Sequence, residues 1–188
     1  MANQTDKELS GVVRRILGDI RVELTDEFDR NFERQGFFTE GWKRRKSPTR
    51  GDGHILVDSG RLRRRIKSRS DATSITFYST SPYAAIHNEG GAIKVTARMK
   101  RFFWAKYREA TGSFSYRKNG GLRNTKRQRQ LSANAEFYKA MALKKEGSAI
   151  EMPRRQFLGM APEVEREVTK IIEDDLQEYF DHLDLGKR

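Results

Sequence analysis

Residues 81–95, SPYAAIHNEGGAIKV, set His87, Asn88 and Glu89 in a row before Gly90 and Gly91. On a strand, His87 and Glu89 would share a face, as a metal site or a nuclease acid–base pair would need. The remaining histidines, His54 and His182, lie at no zinc-like spacing from them. Cysteine is absent, which excludes disulfides, thiolate zinc sites and a thiol nucleophile. With no further ligand available, the preferred reading is a turn in which His87 and Asn88 hydrogen-bond local backbone. Ser59 in DSGRL sits beside glycine, but the G-x-S-x-G elbow is missing and a helix cap explains the residue. Asp174-Asp175 reads as a solvated helix face. GDGH at 51–54 lacks the Lys-Ser/Thr and the preceding strand of a phosphate loop. No metal or cofactor is expected, and no catalysis.

Charge is the second chemical feature. The 188 residues carry a net charge of +12, which favours an anionic partner: nucleic acid, a membrane surface or an acidic protein face. No apolar run is long enough to span a membrane, and the start MANQTDKELSG is not expected to be a signal peptide. The basic residues concentrate between 98 and 129. Arg98, Lys100, Arg101, Lys106, Arg108, Arg117, Lys118, Arg123, Lys126, Arg127 and Arg129 face a single acid there, Glu109. Phe102, Phe103, Trp104, Tyr107, Phe114 and Tyr116 are interleaved with them, a composition that could stack on bases or pack on a partner. A solvated basic loop without a ligand is the bland alternative. No helix-turn-helix, zinc finger or RNA-binding signature supports sequence-specific reading.

The elements that would position these residues follow from periodicity. Residues 6–33 read as an amphipathic helix with Leu9, Val13, Ile16, Ile20, Leu24, Phe28 and Phe32 on one face and Gly36 as its stop. Residues 35–58 read as a loop, whose Phe37, Phe38 and Trp42 must lie on the core or on a neighbour. Asp58 or Ser59 is expected to cap a short helix, GRLRRRI, with Leu62 and Ile66 four apart. Alternation predicts strands at 74–79 and 92–97 and a third at 149–157. A second long amphipathic helix starts at Pro162 and carries Val164, Val168, Ile171, Ile172, Leu176, Tyr179 and Leu183. Between about 98 and 147 an inserted segment holds two helices around SFSYRKNGGLRNTKRQRQ, read as a mobile basic loop. One domain is expected over 1–188: an α+β fold with two long amphipathic helices on a small, mainly antiparallel sheet, carrying this basic insertion. Counted with its 15 Gly and without its 6 Tyr, the hydrophobic fraction rises from 36% to about 41%, lean for a lone monomer, so burial against sister subunits is expected.

Three stretches taken in order carry a resemblance. They are LVDSGRLRRRI (56–66), with Ser59, Gly60 and Leu62; SPYAAIHNEGG (81–91), with Tyr83, Ile86, His87, Gly90 and Gly91; and MPRRQFLGMAPEVE (152–165), with Arg155, Phe157, Leu158 and Gly159. Following a helix and FFTEGW, they resemble the phage virion morphogenesis family, which includes Mu-like tail-completion and head–tail joining proteins. Gln156 stands where that family usually has Pro, and the resemblance skips the inserted middle. It implies an α+β structural part of the phage neck or tail end, without enzymatic activity. Tyr83 and Ile86 would pack inward, His87 and Asn88 would fix a turn, and Gly90 and Gly91 would supply positive φ. Subunits would close into a ring through the aromatic loop and strand edges, then dock on the tail tube, tail terminator or head–tail connector. Such a protein would reside in the virion, and in the bacterial host cytoplasm during assembly. The basic residues of the insertion would meet DNA phosphates in the lumen or an acidic partner face. A non-specific nucleic-acid-binding protein is the rival from another class, and a nuclease using His87 and Glu89 a second.

Overall fold

The computed structural model describes residues 4–50 and 53–185. Helix α1 (Gln4–Arg34) and helix α6 (Pro162–Leu185) are its longest elements. The buried stripe of α1 is Val12, Ile16, Ile20, Leu24, Phe28 and Phe32. Val12 replaces the expected Val13, and Leu9 is exposed. Steps of four residues overshoot a helical turn by about 40° each, so this stripe winds around α1. Val12 to Phe28 join Phe37 and Val164, with Val168, Ile171, Ile172, Leu176 and Tyr179 of α6 packed against them. Phe32, one step further, faces a second cluster with Trp42, Leu62, Ala84 and Phe157. Arg15 meets Glu178 at 3.4 Å at one end, while Phe28 and Val164 share a cluster at the other, so the two helices run antiparallel.

Helix α1 ends at Arg34, and Gln35 takes the left-handed conformation (φ 59°) ahead of the expected Gly36. The segment read as an irregular loop then makes a two-residue hairpin, β1 (Gly36–Phe37) with β2 (Glu40–Gly41). Phe37 and Trp42 are buried within the subunit, which removes the aromatic loop from the surfaces available for ring closure. Asn31 reinforces this corner: its Oδ1 accepts from the Phe38 N–H at 2.9 Å.

Helix α2 (Arg61–Arg64) is capped by Gly60 in the left-handed region, with no side-chain capping bond, which corrects the capping role given to Asp58 or Ser59. Arg63 forks onto Asp29 and Glu33, clamping α2 to α1. Ile66 opens a strand, β3 (Ile66–Ser70), that sequence reading missed; it pairs antiparallel with β4 (Ile75–Ser79). After the short helix α3 (Ala84–Asn88), strand β5 (Gly91–Lys94) pairs antiparallel with β6 (Ala149–Met152). The fold is α+β with antiparallel strands, but among the described residues these form three separate two-stranded ribbons and no joined sheet. The strand expected at 149–157 stops at Met152, because Arg155 to Leu158 bond elsewhere.

Between the paired β5 and β6 the chain makes an excursion through α4 (Ala97–Gly112) and α5 (Lys126–Leu143), which pack on each other. Thr96 and Thr125 cap them, accepting from Met99 N–H at 3.2 Å and Gln128 N–H at 3.1 Å. The supposed loop is shorter and more regular than expected. Lys126 to Gln130 belong to α5, and Tyr116 bridges Leu122 across a turn held by Arg117 N–H to Gly121 O at 2.7 Å. Buried Gln128 accepts from Ser115 N–H at 2.8 Å and ties the turn to the helix.

Candidate functional site

The three sequence stretches meet in one place. Helix α3 presents its last turn to the segment after β6, and the backbone carbonyl of His87 accepts from Arg155 N–H at 2.8 Å. The Asn88 side chain crosses to the same segment, Oδ1 accepting from Phe157 N–H at 3.0 Å and Leu158 N–H at 3.1 Å. Those donors would otherwise be lost, since an irregular segment has no ladder to satisfy them. Gly90 follows with φ 76°, and a Cβ there would lie 2.8 Å from Arg154 N. The chain approaches so closely that only glycine fits. Gly91 has φ 132° and sits over Ile86, whose Cδ1 lies 3.2 Å from where a Cβ would be.

Arg155 is buried, with 6% of its surface exposed. Its Nε donates to Lys43 O at 2.8 Å, and Nη2 reaches Arg44 O at 3.4 Å. No carboxylate pairs with it among the described residues. Burial, followed by repulsion from Arg45, lowers its pKa. Trp42 Nε1 donates to Gln156 O at 2.6 Å, which fixes the same loop from the other side. Phe157 is fully buried against Phe32, ring centroids 5.4 Å apart. Leu158 touches both clusters and joins them. Leu62 is buried in the second cluster, and Gly159 takes φ 127° where the chain turns towards α6.

Two expected roles change. Tyr83 is exposed and lies edge-on to His87, while Ala84 takes the inward position. The His87 side chain does not fix the turn: its Nδ1 is buried without a partner, and Asn88 makes the bonds instead, to a distant segment. Burial, then the nearby Arg155, holds the His87 pKa below its ordinary value, so the ring is neutral near pH 7. Ser59 and His87 both line a cleft of about 360 Å³ with Arg45, Arg61 and Arg155, but no hydrogen bond joins them. Among the described residues no cluster of His, Asp or Glu could hold a metal ion. Gly51 and Asp52 of GDGH lie outside the described residues. This arrangement is a joint in which Asn88 and Arg155 spend their side-chain polar groups on backbone, bordered by a cleft lined with three arginines.

The basic residues occupy the α4–α5 excursion. Arg98 and Arg101 are exposed on α4 and Lys100 is half-buried; Arg117, Lys118 and Arg123 are exposed in the turn; Lys126, Arg127 and Arg129 are exposed on the first turn of α5. Four of the six interleaved aromatics, Phe103, Trp104, Tyr107 and Phe114, are half-buried, and only Phe103 among them stacks across to rings of α5. Phe103 packs on Phe137 and Tyr138 at 6.3 and 6.4 Å, and Trp104 on Tyr107 at 5.7 Å. Phe102 and Tyr116 alone among them remain exposed.

Asp175 went unnoticed in the sequence as anything but surface. It is buried against α1 with Oδ2 unpartnered, and burial, then Asp19, raises its pKa. Its spacing was the available signal, since it falls four residues after Ile171 on the apolar stripe. Trp42 also carried a signal, because a buried indole N–H requires an acceptor.

Residues 6–177 match the model of the phage virion morphogenesis family. No curated protein and no solved structure matches the chain.

Proposed function

This chain belongs to the phage virion morphogenesis family, and on that premise we propose that it acts in tail completion or head–tail joining, as a stoichiometric part of the virion. A phage morphogenetic role is what family membership carries; the position at the tail end or neck is our reading. One observation supports a role without bond chemistry. The three family-like stretches converge on a joint in which Asn88, the His87 carbonyl and Arg155 bond to backbone, so that these groups serve to hold the chain in shape. The partners are tail tube, tail terminator or connector proteins, with further copies of the chain forming a ring. The chain works as one domain, with the excursion at 98–147 as an insertion in it. No helix among the described residues is long and apolar enough to cross a membrane, and the site of action is the virion, reached from the host cytoplasm. Electron microscopy of particles made without the protein tests this: heads and tails should accumulate unjoined, and normal joined particles would refute it.

A second reading rests on the exposed cations of the excursion with Phe102 and Tyr116 beside them: non-specific contact with DNA. Binding would weaken steeply with salt. Deleting residues 112–130 should then abolish DNA binding while particles still assemble.

A further inference from the structure

We propose that the outer face of α4 docks on the C-terminal half of α6 of a second copy, giving a head-to-tail contact between subunits. This rests on the assembly role above and names the surfaces that would close its ring. Arg101 and Phe102 lie three and four residues after Arg98, Arg108 lies two helical turns after Arg101, and all four are exposed on one face of α4. Among the described residues none of those arginines has an ion-pair partner, and 52% of the Phe102 surface is in water. On α6, from residue 171 to 185, there are six acids and no Lys or Arg. Glu173, Asp174, Phe180 and Asp181 fall on its outer side, all exposed, with 55% of Phe180 in water. Arg15 takes Glu178, which leaves Glu173, Asp174 and Asp181 without a basic partner among the described residues.

The two stripes are opposite in sign and each has a phenylalanine among its charges. A phenylalanine flanked by charges is what the centre and rim of an interface require: an apolar anchor that is desolvated and a charged border that sets register. They lie on different helix pairs, α4 on α5 and α6 on α1. A contact that joins one such pair and leaves the other stripe of each copy free for a further neighbour is heterologous, and it closes into a ring when its rotation does. The aromatic loop, already consumed by the subunit's own core, cannot serve this purpose.

Charge reversal in trans tests the contact. The double variant Arg101→Glu/Arg108→Glu takes the stripe of Arg98, Arg101 and Arg108 from +3 to −1 opposite the acidic stripe of α6, and Asp174→Lys/Asp181→Lys takes the stripe of Glu173, Asp174 and Asp181 from −3 to +1 opposite the basic stripe of α4. Each alone should associate at least about tenfold more weakly than wild type by sedimentation velocity, and the equimolar mixture should recover association. Wild-type association should also weaken from about 50 mM to about 500 mM salt. Either variant alone associating like wild type, or a mixture that stays monomeric, overturns the proposal. So does a loss of affinity of the arginine variant for a DNA duplex of about 30 base pairs with self-association unchanged. Unjoined heads and tails in particles lacking the protein, alongside failure of the mixing test, would sink this interface and leave the assembly role standing.

Discussion

Asn88 and Phe157, separated by 69 residues, are joined by the Asn88 carboxamide oxygen, which accepts the Phe157 and Leu158 N–H groups at 3.0 and 3.1 Å. One side chain thereby binds the end of α3 to the segment that leads into α6. Asn88→Ala leaves two part-buried donors without an acceptor and should lower unfolding free energy by about 1–3 kcal/mol. Asn88→Asp keeps the acceptor and should lose less. Urea unfolding of both variants checks the order, which reverses if the bonds contribute nothing.

Glycine positions separate in the opposite directions. Gly90→Ala forces a Cβ within 2.8 Å of Arg154 N at φ 76°, where both the backbone and its neighbour must shift. The expected cost is about 1–3 kcal/mol. Gly18, in the middle of α1 with nothing within 4 Å of an added Cβ, should behave oppositely. Gly18→Ala restricts the unfolded chain and favours the helix by about 0.5–1 kcal/mol. Thermal melts of the pair measure both, and a stabilised Gly90→Ala would contradict the close approach.

Much of this architecture was legible, and the exceptions share a cause. Both long helices showed in their 3.6-residue period, because each buries a continuous apolar stripe. The strand Ile66–Ser70 did not show, since IKSRS has little apolar alternation and owes its form to pairing with β4. Asn88 was assigned a local turn because its true acceptor role spans 69 residues, a distance that sequence spacing does not encode. Asp175 was different: its position on the α6 stripe was readable, but its charge argued for solvent and prevailed. The joint's glycines were readable from type, whereas the inward role of Tyr83 failed because Ala84, one residue on, takes that direction.

His87 should give the protein an acid-sensitive increment. Its folded pKa lies below the ordinary 6.5, through burial and then Arg155. The unfolded state therefore binds more protons between the two values. This contribution is complete above about pH 6.5 and is lost as pH falls through the folded value. His87→Gln should flatten that part of the stability–pH curve. Asp175 has the reverse sign: its raised pKa makes its charge a burden at neutral pH that is relieved on acidification. Asp175→Asn should raise the melting temperature at pH 7, with the gain shrinking towards low pH. A pH series of melts on the two variants would show opposite trends, and parallel curves would reject both assignments.

Two phenylalanines distinguish folding from assembly. Phe157 has no exposed surface and packs on Phe32 in the cluster that holds the joint. Phe157→Ala removes that ring from a packed site and should cost about 3–5 kcal/mol. Phe180 leaves more than half its surface in water at the acidic end of α6, so Phe180→Ala should change monomer stability by no more than about 0.5 kcal/mol. If Phe180 anchors the contact between copies, the same change should weaken self-association while unfolding stays at the wild-type midpoint. Paired denaturation and sedimentation measurements decide it. Loss of stability in Phe180→Ala would place that ring in the subunit's own core, and unchanged association would remove it from the interface.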